Sequence, residues 1–224
     1  MLKNMSESVP PVEGIKVAEL AIKLRKYFDT VYGAHIFLAI GTVIASYWMI
    51  IFATATVFSL YESLTFWLGA LILMWVLIPF SVWLVPYPSP IKTASIVKKL
   101  SAWVLPFIIL YTASISLILS KDPLLTDMGK TLNMGGAGWY LAVTLGLLLN
   151  HFVWEKQAYN KGQILAKPFM IAGVFMLATS PAVYYFGHLD IGAGNILAVG
   201  LMLLGYGIAA FISIRKAYRW LQGE

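Results

Sequence analysis

The 224-residue chain contains no cysteine, which excludes disulfides, thiolate metal sites and cysteine nucleophiles. Charge is scarce as well. Asp, Glu, Lys and Arg supply 12% of the residues and apolar types 60%, against about 25% and about 45–50% in a soluble globular domain. The period-2 alternation of lipid-facing barrel strands is also missing, so a transmembrane β-barrel is excluded. The most informative absence concerns six long apolar runs, at 34–58, 64–85, 102–120, 138–154, 168–187 and 191–214, none of which holds an Asp, Glu, Lys or Arg. Proton pumps, voltage sensors and ion-coupled carriers place ionisable groups at bilayer depth despite a cost of at least about 2.5–3.5 kcal/mol each. Acid–base or metal-assisted hydrolysis needs carboxylate pairs or a ligand cluster. Neither is present in the runs, and a non-enzymatic role is expected.

What is present is a membrane pattern. Most of the runs reach the roughly 20 residues that cross about 30 Å of hydrocarbon as a helix. Fourteen of the sixteen Lys and Arg residues lie in alternate segments between the runs, and only Lys121 and Lys130 fall on the other side. Short loops rich in Lys and Arg stay in the cytoplasm. The expected fold is therefore all-α: a polytopic six-transmembrane-helix bundle in the cell (plasma) membrane, with both termini cytoplasmic. Net charge is +6. Because the cations form a belt along one face, they point to anionic lipid headgroups rather than nucleic acid. The first run is too long for a cleaved signal and serves as the insertion signal.

Residues 1–13 are polar, contain Pro10-Pro11, and are expected to be a disordered cytoplasmic tail. In 14–32, Val17, Leu20, Ala21, Leu24 and Phe28 recur at helical spacing opposite Lys16, Glu19, Lys23 and Lys26. This predicts an amphipathic interfacial helix on the cytoplasmic leaflet, with Gly33 as a corner; docking to a protein partner is the rival reading of the same face. Residues 33–214 form the transmembrane domain and 215–224 a cytoplasmic tail. Pro86, Pro88 and Pro90 predict a stiff extended stop after the second span. The longest outer loop runs over 121–136 and ends in Gly135-Gly136-Ala137-Gly138, a stretch suited to close backbone approach. Trp48, Trp67, Trp139, Trp154 and Trp220 fall toward span ends, as interfacial anchors do.

Gly194, Ala198, Gly205, Ala209 and Ser213 line one face of the sixth run, with a weaker pair at Gly41 and Ala45. Such small residues let helix backbones approach closely, either within the bundle or in a homo-oligomer or larger complex. Pro79 and Pro181 stand at similar depths in the second and fifth runs, which raises an inverted repeat as a possibility.

Polar residues within the runs form two stripes. His35, Thr42 and Ser46 share a face of the first span, and Tyr140, Thr144 and His151 a face of the fourth. If they face each other, with Asn150 and Asn195 adding amides, they line a cavity open to the cytoplasm. The plainer reading is that each hydroxyl bonds its own helix four residues back. His35 and His151 at matched depth also fit axial ligation of haem b; otherwise no metal or cofactor is expected. Three functions follow: a non-catalytic subunit or scaffold of a larger membrane complex, a small permease or channel for a neutral or weakly polar solute, and a haem b electron-transfer subunit.

Overall fold

The computed structural model describes residues 11–60, 63, 65–70, 72, 73, 76 and 96–223, and among them all regular structure is helical. The elements are α1 (Pro11–Val57), α2 (Ile96–Ile118), α3 (Pro123–Met134), α4 (Ala137–Asn150), a π-helical turn (His151–Glu155), α5 (Lys156–Asn160), α6 (Pro168–Leu189) and α7 (Ile191–Gln222). Five described segments are long and apolar enough to cross a membrane: Lys16–Val57, Val97–Ile118, Ala137–Asn160, Pro168–Leu189 and Ile191–Gln222. They correspond to the first, third, fourth, fifth and sixth apolar runs. Most of the second run lies outside the described residues, as do Pro79, the Pro86–Pro90 stretch and residues 1–10. Its beginning, at 65–70, is helical and folds back on α1. There the Tyr47 hydroxyl donates to the Ala70 carbonyl, and the Trp67 ring stands 5.9 Å from that of Phe52.

Two sequence expectations change. The first is the corner at Gly33: α1 continues through it as one helix of 47 residues, about 70 Å long at 1.5 Å per residue. A glycine inside a helix costs about 1 kcal/mol relative to alanine, and the tertiary packing of α1 outweighs that. Residues 14–32 are therefore continuous with the helix of the first apolar run, and residues 11–13 belong to the helix too. Lys23 and Lys26 lie 5.7 Å and 5.9 Å from the centre of the Trp220 ring at the end of α7. The amphipathic N-terminal half thus meets the last turns of α7.

The second change is the outer loop, which contains α3. Asp122 caps this helix by accepting from the Leu124 N–H at 2.8 Å, and Pro123 occupies the first turn, where its missing N–H costs nothing. Gly129 lets α3 press against α2, since a Cβ there would stand 2.7 Å from the Ile118 nitrogen.

The core joins α1, α4, α6 and α7. Phe37 stacks on Tyr206 at 4.5 Å and meets Phe169 edge-on at 4.9 Å. Trp48 and Phe52 stack on Trp139 at 6.3 Å and 6.0 Å. Trp139 is buried, and Trp48 and Trp67 pack against the same core. All three therefore contribute to packing. The basic segments gather at one end of the bundle: the N-terminal half of α1, residues 156–167 and the end of α7. The Leu165 N–H donates to Thr30 Oγ1 at 3.1 Å, and Lys216 Nζ donates to the Tyr159 hydroxyl at 3.1 Å. Asp127, His188 and Asp190 lie at the opposite end.

Candidate functional site

The two polar stripes do not meet. His35, Thr42 and Ser46 are exposed on the outer side of α1, because Phe37, Ala45 and Phe52 take the core side of that helix. His35 Nδ1 pairs with the Val31 carbonyl at 2.8 Å, and Thr42 donates to the Leu38 carbonyl at 2.9 Å. Tyr140, Thr144, Asn150, His151 and Asn195 are all buried. The expected cavity between the first and fourth spans is therefore not formed by these residues.

The buried group is closed by its own contacts. The Tyr140 hydroxyl bonds Thr179 Oγ1 at 2.7 Å. Thr144 donates to the Tyr140 carbonyl at 2.7 Å, and Asn150 Nδ2 to the Gly146 carbonyl at 2.9 Å. Asn195 accepts from the Trp139 indole N–H at 2.9 Å and donates to the Met134 carbonyl at 2.8 Å. It thereby ties α7 to the start of α4. Threonine bonding to its own helix is the packing role weighed from sequence. Asn195 goes further and crosses between elements.

Glycines complete that junction. Gly136 adopts a left-handed conformation, φ 87°, at the start of α4, and a Cβ there would be 3.1 Å from the Asn195 backbone. A Cβ on Gly194 would strike Gly187 and the Gly135 carbonyl. The α3–α4 turn therefore seats its backbone on the α6–α7 turn. The rest of the small-residue strip is also used inside the bundle. Ala198 and Ala209 are buried, a Cβ on Gly205 would stand 3.0 Å from the Phe175 ring, and Gly41 receives the Tyr206 ring.

The sequence reading missed Glu155, which directly follows the fourth apolar run. The fourth helix runs on through the π turn and takes this side chain out of solvent. Its carboxylate accepts from the Phe169 N–H at 2.8 Å and the Met170 N–H at 3.1 Å, and pairs with His151 Nδ1 at 2.8 Å. The first N–H groups of a helix lack intrahelical partners and favour negative charge. Glu155 thus caps α6 from the preceding helix. A His and a Glu four residues apart at the end of an apolar run were the available signal. With its oxygens held by this chain, the carboxylate acts as a latch and has no free edge for a substrate.

His35 lines an outer groove with Phe28, Asp29, Val31 and Tyr32, whereas His151 is held by Glu155. The two imidazoles therefore do not share a cleft of the kind an axially ligated haem occupies. His188 pairs with Asp127 at 3.2 Å, while Asp190 caps α7 through the Ala193 N–H at 2.6 Å. Among the described residues no three His, Asp or Glu side chains gather as a metal site.

A second outward groove is lined by Leu38, Gly200, Leu203, Leu204, Gly207, Ile208 and Phe211. Cβ atoms at Gly200 and Gly207 would meet nothing within 4 Å. Leu38, whose carbonyl accepts from Thr42, lines this groove, so the polar stripe borders it one helical turn away. No protein-family model, curated protein or solved structure matches the chain.

Proposed function

We propose that the protein is a non-catalytic integral subunit, or scaffold, of a larger plasma-membrane complex, with six spans and both termini in the cytoplasm. The run at 64–85 supplies the second span, and the basic end faces the cytoplasm. One observation carries the functional reading. The polar stripe of α1 borders the notch at Gly200 and Gly207 through Leu38 on the lateral face, while the buried polar side chains among the described residues have partners within the chain. In lipid, helices associate through small residues that allow close approach and through hydroxyl, amide or imidazole groups that bond across the contact. A face with both features suits another helix better than acyl chains alone. The closed interior gives less support to a permease, and the separated histidines less to a haem subunit.

The test is purification of the full chain in mild detergent with its natural partners. Gly207→Leu and Thr42→Leu should release a stoichiometric partner while leaving a folded, monodisperse protein. Wild-type protein that purifies alone at full yield would contradict the reading.

A further inference from the structure

We propose that the basic end carries a site for the phosphate of an anionic phospholipid headgroup, built by Lys167 and Lys216 around Tyr159 with Lys26 beside it. This rests on the membrane reading above and adds a defined place and ligand.

Tyr159 holds two ammonium groups. Lys167 Nζ is 4.2 Å from its ring centre; Lys216 Nζ is 4.9 Å from it and donates to its hydroxyl at 3.1 Å. The two cations are therefore no more than about 9 Å apart, roughly one Debye length or less at physiological ionic strength. Such a pair repels unless an anion joins it. Among the described residues no carboxylate lies within 4.0 Å of Lys26, Lys167 or Lys216. The nearby Glu155 is already committed to His151 and the first turn of α6.

The lysines come from three elements on a fixed frame. Gly162, at φ 65°, turns the chain after α5, and a Cβ there would lie 3.5 Å from Lys26 Nζ. Ile164 and Ala166 are buried, and the Leu165 N–H is bonded to Thr30. Lys167 is thus presented by a packed turn, Lys216 by α7 and Lys26 by α1. Long stems ending in ammonium groups, laid over an aromatic ring at the end of a bundle, match headgroup depth. A phosphodiester there neutralises the repulsion, while its acyl chains lie along the apolar helices. A soluble phosphate lacks that second contact.

The full-length protein, in nanodiscs of equal parts phosphatidylcholine and phosphatidylglycerol, is released into the gas phase and its retained lipids identified by native mass spectrometry. The expected result is selective retention of phosphatidylglycerol, falling about fivefold for each lysine removed in Lys167→Gln and Lys216→Gln. Retention should survive in the Lys167→Arg/Lys216→Arg double variant. The Lys121→Gln/Lys130→Gln variant carries the same charge change at the opposite end and should retain as much lipid as wild type. Equal loss in that control, or no loss in the first pair, overturns the site. So does inorganic phosphate displacing the lipid at millimolar concentration, because the acyl chains then contribute nothing. Lipid selectivity lost while a protein partner still co-purifies counts against this site alone. Selectivity retained without a partner counts against the subunit reading alone.

Discussion

His151 Nδ1 and a Glu155 carboxylate oxygen lie 2.8 Å apart across a π-helical turn, with side-chain exposures of only 7% and 0%. The pair joins two membrane-length helices, because the same carboxylate caps α6. Glu155→Ala removes a charged acceptor from the Phe169 and Met170 N–H groups and should cost about 2–4 kcal/mol, a charge-assisted bond contributing roughly 1.5–3 kcal/mol. Glu155→Gln, which keeps one oxygen, should cost less. In a double-mutant cycle with His151→Ala, the coupling should be about 1–3 kcal/mol. Thermal unfolding in detergent measures all four species. Additive losses would show that the two side chains act independently.

The glycines divide into those that admit a neighbour and those that merely occur in a helix. Gly194→Ala drives a methyl into Gly187 and the Gly135 carbonyl, both backbone, and should destabilise by about 1–3 kcal/mol. Gly33→Ala meets nothing within 4 Å and should stabilise a continuous α1 by about 0.5–1 kcal/mol. A loss of stability at Gly33 would instead indicate a corner there. Unfolding midpoints of the two variants decide.

Asn195 supplies both halves of its amide to other elements. In Asn195→Leu the buried Trp139 indole N–H and the Met134 carbonyl lose that partner, at a cost of about 1–3 kcal/mol. The Trp139 fluorescence should shift as its polar contact disappears. Unchanged stability and emission would mean that the α4–α7 tie is not made.

The absence of cysteine makes topology easy to read, since any introduced thiol is unique. In intact cells, Lys130→Cys should react with an impermeant maleimide, and Lys161→Cys should react only after lysis. The reverse pattern would place the basic end outside.

Five of the six apolar runs were legible as helices because length and hydropathy suffice for that inference. The gathering of Lys23, Lys156 and Lys216 at one end of the bundle follows from the alternation of charge between runs. Three features escaped. Helix α3 within the outer loop was missed although Asp122-Pro123 is a helix-start pair; the loop was read by its length and its glycines alone. Gly33 was read as a corner because glycine propensity is visible in a sequence and the docking of α1 along α7 is not. Glu155 was left outside the fourth run because an apolar window ends where charge begins, while a helix ends where its hydrogen bonds do. The stripe at His35, Thr42 and Ser46 follows from helical periodicity, but its direction depends on Phe37 and Phe52 finding the core, and periodicity alone gives two stripes no common axis.

The central claim, that the lateral face of α1 and α7 meets a protein, is tested most directly by a photoreactive amino acid placed at Thr42, at Gly207 and, for comparison, at the exposed position Ile109 on α2. Irradiation of native membranes should yield one discrete heavier protein adduct from Thr42 and Gly207 and only lipid adducts from Ile109. Lipid adducts alone at all three positions would contradict the account.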